Sequence, residues 1–215
     1  MTRKKLVFTA FAVFDLLLLA VVAGLFVMRS HQAEVERLAE LGVAQLAEPV
    51  ALSGFQLTDQ SGAVFAPPDL RGKWHFVFFG FTSCPDICPL SMAALEAFYR
   101  ELQARGEDSD VGVIMVSVDP LRDTPEIMGN FVSSYHPDFI GLTGEYPQIA
   151  GLAEQLFFAF AGPQEHGGAH GSDDYIVQHS DYIAVVDPQG RYRGIVHAPH
   201  NGERLMQAFL SLSTE

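Results

Sequence analysis

Residues 74–92 read WHFVFFGFTSCPDICPLSM, and the order of residue types within them decides the fold class. WHFVFFG (74–80) is a continuous apolar run of strand length, as expected of a central strand covered on both faces. The segment from Pro89 to Gly106 places Leu90, Ala94, Leu95, Phe98 and Leu102 on one helical face and ends on a C-terminal glycine. Between strand and helix lie the chain's only two cysteines, Cys84 and Cys88. Pro89 suits the first turn of a helix, which puts Cys88 near its N-cap and Cys84 in the preceding loop. Residues four apart share a face, so the two sulfurs converge. The helix N-terminus is expected to favour thiolates there.

Strands and helices alternate on both sides of this unit. GFQLTDQSGAVFAPPDLRGK (54–73) reads as a β-hairpin about a DQSG turn, and VGVIMVSVD (111–119) as a second buried strand. TPEIMGNFVSSY (124–135) reads as a helix with Thr124 as N-cap and Pro125 at the first position. FIGLT (139–143) is a short strand, and YPQIAGLAEQLFFAF (146–160) a helix. DYIAVVDPQGRYRGIV (181–196) is a hairpin turning at DPQG, and NGERLMQAFLSL (201–212) a closing helix. The order predicts an α/β domain with a mixed sheet.

The N-terminal part is of another kind. Leu6 to Met28 is almost wholly apolar, is preceded by Arg3, Lys4 and Lys5, and as a helix spans about 34 Å against a bilayer core of about 30 Å. It reads as an uncleaved anchor with a cytoplasmic N-terminus and an exported remainder. Asp15 interrupts it, either as a helix–helix contact or as one acid tolerated among apolar neighbours. The expected organisation is residues 1–29 as basic end and transmembrane anchor, 30–50 as helical stalk or linker stopped by Pro49, and 51–215 as the globular domain. The absence of an Arg/Ser-rich leader points to a bacterial inner membrane with the domain in the periplasm.

Charge excludes one class of partner. The chain has 13 basic and 26 acidic residues, and four of the basic ones precede Ser30, leaving 9 against 25 beyond it. So acidic a domain repels phosphate backbones, and nucleic-acid binding is set aside.

Two cysteines in an exported domain admit three uses. A structural disulfide across three residues would stabilise little, since the entropic gain grows with loop length. A dithiol redox pair fits the strand–loop–helix corner, one residue longer than C-x-x-C. A soft-metal clamp for Cu(I) or Zn(II) fits two thiolates and needs a third ligand. Of the eight histidines, His75 sits in the apolar run, His136 precedes a proline and His31 lies in the stalk. His179 precedes a strand of the same predicted sheet. His166 and His170 lie in EHGGAHGSDD (165–174), a loop of metal-gathering composition or simply a polar surface loop, and His197 and His200 lie in HAPHNG.

FVFFGFTSCPDICPLSM, VSVDPLRDTPE and DYIVQHSDYIAVVDPQGRY, in this order and with DLRGKW before the first, resemble the Sco/SenC family of copper-binding assembly factors over roughly residues 52–213. The resemblance implies a thioredoxin-like fold and a copper site, Cu(I) before Cu(II), of Cys84, Cys88 and His179. It implies delivery of copper to the Cu(A)-bearing subunit of cytochrome c oxidase, with an upstream copper donor and a thiol reductant. The alternative is thiol–disulfide exchange on that subunit's cysteines or redox sensing, with Cys84 and Cys88 as the pair. Asp119 and Asp123 match the family's acidic motif, either influencing the site or partner docking or merely capping and solvating. Asp86, between the cysteines, would orient the turn or accept N–H bonds. His166 and His170 match no family ligand and stand as auxiliary metal candidates.

Overall fold

The computed structural model describes residues 3–161 and 178–213, with the side chains of 3–12, 30, 31, 33–35, 161, 178 and 179 outside the description. The chain divides into two compact units, Met1–Glu40 and Leu41–Glu215.

The first unit is one helix, α1 (Arg3–Glu40). From Val13 to Met28 its apolar side chains stand exposed, Leu16 by 70% and Phe26 by 73%, and Asp15 is exposed among them. Among the described residues no helix is long and apolar enough to cross a membrane. The stretch read as a span, Leu6–Met28, lies partly outside the described side chains.

The second unit is built on an eight-stranded sheet. Its strands are β1 (Val43–Ala51), β2 (Leu57–Asp59), β3 (Val64–Phe65), β4 (Trp74–Gly80), β5 (Val111–Ser117), β6 (Ile140–Thr143), β9 (Ile183–Val186) and β10 (Arg191–Val196), and a separate ribbon pairs β7 (Phe160–Ala161) with β8 (Gln178–His179). The spatial order is β1-β10-β9-β4-β5-β6-β2-β3. β4, β5 and β6 run parallel, and β9 lies antiparallel beside β4. The helices are α2 (Ile87–Arg105), α3 (Pro125–Ser133), α4 (Tyr146–Gln155) and α5 (Gly202–Ser213). This is the mixed, helix-flanked sheet that a thioredoxin-like arrangement requires.

β4 is central and its alternation feeds two cores. Phe76 faces α2 and α5, with ring centroids 4.6 Å from Phe98 and 6.5 Å from Phe209. Phe79 faces the other way and stacks on Phe158 at 4.4 Å. Thr124 caps α3, its hydroxyl accepting from the Ile127 amide at 3.3 Å. Gly106 ends α2 at φ 73°, the left-handed value a Cβ disfavours. At the DQSG turn the Asp59 carboxylate accepts the amides of Ser61 and Ala63 at 2.8 and 3.0 Å. At DPQG the Asp187 carboxylate does the same for Gln189 and Arg191 at 3.0 Å each.

Two expected elements are corrected. The helix read through Pro49 ends at Glu40, and residues 43–51 form an edge strand on β10. Its Ala/Leu/Glu composition favours helix, but the open edge of β10 offers backbone partners, and Pro49 falls where the register shifts between Gln45 and Val50. α4 stops at Gln155, not at Phe160: Phe157 turns to φ 55° and the Phe158 amide donates to the Ala153 carbonyl at 2.8 Å. Burying Phe158 against Phe79 takes precedence over another helical turn.

Candidate metal and thiol site

The loop between β4 and α2 opens at the C-terminal end of the parallel strands, where α/β sheets form crevices. Gly80 ends β4 and makes the site possible. A Cβ there would lie 2.8 Å from Cys88 Sγ, 2.8 Å from Phe78 Cε1 and 3.2 Å from Met115 Cε. The sulfur therefore occupies the volume that any other residue at 80 would fill.

α2 starts at Ile87 with Asp86 at the N-cap, so Cys88 falls in its first turn, and Pro89 follows where no intrahelical donor is needed. The Cys84 amide donates to the Phe81 carbonyl at 3.2 Å, a tight turn that folds Cys84 back toward the helix. Both cysteines are buried, Cys88 fully, and both are thiols, not a disulfide. Burial pushes the Cys88 thiol well above its ordinary value, and the hydrogen-bonded Cys84 side chain adds to the rise. The expectation that the helix terminus favours thiolate is thus overturned at Cys88, where loss of water outweighs the dipole.

Asp123 holds this loop from below. It is fully buried and accepts the Thr82 amide at 3.1 Å, the Thr82 hydroxyl at 2.5 Å and the Ser117 hydroxyl at 2.6 Å. Burial raises its pKa while these donors hold it down. The Ser117 hydroxyl in turn accepts the Asp119 amide at 3.0 Å. Asp119, also fully buried, pairs with Arg122, whose guanidinium lies 5.9 Å over the Phe81 ring. The capping-and-solvation alternative for these two acids therefore fails: Thr124 does the capping and neither carboxylate meets solvent. Thr82 and Ser117, which the sequence reading missed, carry the brace. A hydroxyl at the end of an apolar strand, opposite an acid six residues on, was the available signal.

Asp86 is exposed, and its side chain makes no capping hydrogen bond. His200 is structural: its ring nitrogens lie 2.9 Å from the Ser91 hydroxyl and 3.1 Å from the Val196 carbonyl, and burial lowers its pKa. His136 is buried beside Tyr99 with ring centroids 4.7 Å apart, and its Nδ1 accepts the Asp138 amide at 3.2 Å. The backbone of His179 lies in β8, paired with Phe160. His166 and His170 lie outside the described residues. Among the described residues no cluster of three metal-ligating side chains occurs. Two buried sulfurs close together can exchange a disulfide or present thiolates to a soft metal.

The SCO1/SenC family pattern matches residues 44–213. A candidate copper-binding protein of Stutzerimonas stutzeri is 37% identical over 149 residues, covering 69% of this chain and 70% of that one. Among solved structures, yeast Sco1 with copper bound superposes with TM-score 0.69 at 26% identity, over 77% of this chain and 90% of that one. BsSco, a member of the Sco family of cytochrome c oxidase assembly proteins in which a disulfide switch was identified, matches with TM-score 0.57 at 25% identity, over 80% and 99%.

Proposed function

We propose that this chain, which belongs to the SCO1/SenC family, is a membrane-anchored copper-delivery protein that holds Cu(I) on Cys84, Cys88 and His179 and passes it to the Cu(A) centre of cytochrome c oxidase. The observation that carries this reading is the pair of buried thiols at the mouth of the sheet, with the Cys88 sulfur seated against Gly80. Sulfur donors suit a soft monovalent ion, and three ligands leave an open position at which an acceptor thiolate attacks. Loading releases the thiol protons, and transfer is ligand exchange to a stronger site rather than turnover. A Cys84–Cys88 disulfide has no thiolate to offer, so a reductant gates loading.

The exposed apolar side chains of α1 support anchoring in a bacterial inner membrane, with residues 41–215 on the periplasmic side. Anchoring raises the local concentration of the domain near a membrane-bound acceptor. Asp86 then sits at the mouth as an exposed carboxylate for partner docking, Asp119 and Asp123 position the loop, and His166 and His170 serve as auxiliary ligands.

The test is Cu(I) titration of the reduced full chain in detergent, followed by transfer to an apo Cu(A) domain. About one equivalent binds and transfers, and Cys84→Ser with Cys88→Ser binds none. Stoichiometric copper on that double variant overturns the site. A second reading, thiol–disulfide exchange on the acceptor's cysteines, is favoured by the hydrogen-bonded thiols and by the disulfide switch of BsSco. It requires catalytic reduction of a model disulfide with copper absent.

A further inference from the structure

Helix α2 carries Cys88 in its first turn, yet that end of the helix has no side-chain cap. Asp86 stands at the N-cap without a capping hydrogen bond, and no acid lies in the first turn. The far end, by contrast, is closed by Gly106, whose amide donates to the Gln103 and Leu102 carbonyls. The first four N–H groups of a helix find no partner within it, so an end without a cap frays unless something outside holds it. Cys88 is nevertheless fully buried, in the volume that Gly80 leaves open.

A hold comes from His200, far away in the chain. Ser91, just under one turn after Cys88 and fully buried, has its Oγ 2.9 Å from His200 Nδ1. His200 Nε2 lies 3.1 Å from the carbonyl of Val196, the last residue of β10. A carbonyl only accepts, which assigns the ring proton to Nε2. Burial lowers the ring's pKa, so at neutral pH Nδ1 is bare and the Ser91 hydroxyl donates to it. The segment bearing the ring is fixed in turn by α5. Asn201 caps that helix, its Oδ1 accepting the Arg204 amide at 2.9 Å. Gly202 sits so close to α2 that a Cβ there would lie 3.0 Å from Ala97 Cβ and from the Phe98 nitrogen. Ser91, His200 and Val196 thus tie the uncapped end of α2 to the sheet.

We propose that His200 is a positioning residue for the thiol pair: its bond to Ser91 pins the start of α2, keeps Cys88 in the seat at Gly80, and favours the two thiols over the Cys84–Cys88 disulfide. Oxidation of the pair forms one S–S bond and releases two protons and two electrons, which a small disulfide such as oxidised glutathione accepts in becoming two thiols. The new bond, about 2 Å long, draws the Cys88 sulfur toward Cys84 and pulls the first turn with it. The Ser91–His200 bond resists that movement and is therefore stronger in the reduced form. The inference rests on the reading that reduction of this pair gates copper loading, and it identifies what holds the pair open.

The test is a redox titration of the copper-free full chain in detergent against reduced and oxidised glutathione, with acid quenching and the free thiols counted by mass. Ser91→Ala shifts the equilibrium about fivefold toward the disulfide, the contribution of one neutral hydrogen bond. His200→Leu shifts it at least as far, and Ser91→Ala adds less than about twofold on that background, because both changes remove the same bond. Unfolding of each variant is followed alongside. An unchanged redox equilibrium in Ser91→Ala overturns the positioning role, whatever stability that variant loses. An undiminished Ser91→Ala shift on the His200→Leu background overturns it too. Ser91→Ala removes a single oxygen atom and decides the matter by itself where His200→Leu does not fold. A wild-type pair that never forms its disulfide reversibly overturns the redox gate of the proposed function, and this clamp with it.

Discussion

Strand β4 uses the same packing device at its two ends. At one end Gly80 gives up its side-chain volume to the Cys88 sulfur; at the other Gly112, the β5 neighbour of His75, gives up its own to an imidazole. Around the cysteine loop the buried polar groups are satisfied, with Asp123 taking three donors and Ser117 passing one on to Asp119. Around His75 they are not, and both nitrogens lack partners among the described residues. A fully bonded network specifies one arrangement and resists change, whereas a buried orphan marks stability given up. The contrast separates a loop held in one geometry from a strand end whose polar group lacks a protein partner.

The largest effect is expected at the brace. Asp123→Ala leaves the Thr82 amide and two hydroxyls without their acceptor and costs about 4 kcal/mol, at roughly 1–3 kcal/mol per orphaned group. Denaturant unfolding measures it, and a loss under 1 kcal/mol would mean that the loop is held by something else.

His75→Leu tests the other end through pH. The folded-state pKa of about 4 lies below the ordinary 6.5. The unfolded chain therefore binds the extra proton first, so this group's stability contribution is full above pH 6.5 and is lost as pH falls toward 4. The loss amounts to about 3 kcal/mol in the wild type and is absent in the leucine variant. Stability curves of the two proteins run parallel above pH 7 and diverge below 6.5, and curves parallel down to pH 4 would refute the assignment.

Gly80→Ala sharpens the comparison at the sulfur. Overpacking costs about 2 kcal/mol, and displacement of Cys88 changes the thiol–disulfide equilibrium of the pair, read by redox titration against glutathione. An unchanged midpoint potential would show that the thiol seat tolerates a methyl group. The smallest effect belongs to a residue that serves neither end: Thr124→Ala removes the α3 cap and costs about 1 kcal/mol, with copper stoichiometry and the low-pH behaviour unaltered.

Legibility followed the range of the forces involved. The strand at 74–80, the helix after Pro89, the Thr124 cap and the Gly106 stop were readable because apolar periodicity and capping act between near neighbours. The position of Cys84 and Cys88 at the strand–helix corner was readable for the same reason. Residues 43–51 were not, because a helix-favouring composition yields to an edge that forms some 150 residues later in the chain. The role of Asp119 and Asp123 was not, because a carboxylate in a polar motif reads as exposed until the fold buries it under Thr82 and Ser117.

What the amino-acid order determined by itself was the alternation of strands and helices, the pairing of two sulfurs at one corner, and the apolar N-terminal helix. These follow from periods of two and 3.6 residues and from single-residue backbone preferences. What only the tertiary structure decided was which glycines had to be glycine, which acids lost their water, and that burial pushes the Cys88 thiol pKa up. Each of those depends on atoms far apart in sequence competing for one volume, or on burial, which no local pattern records.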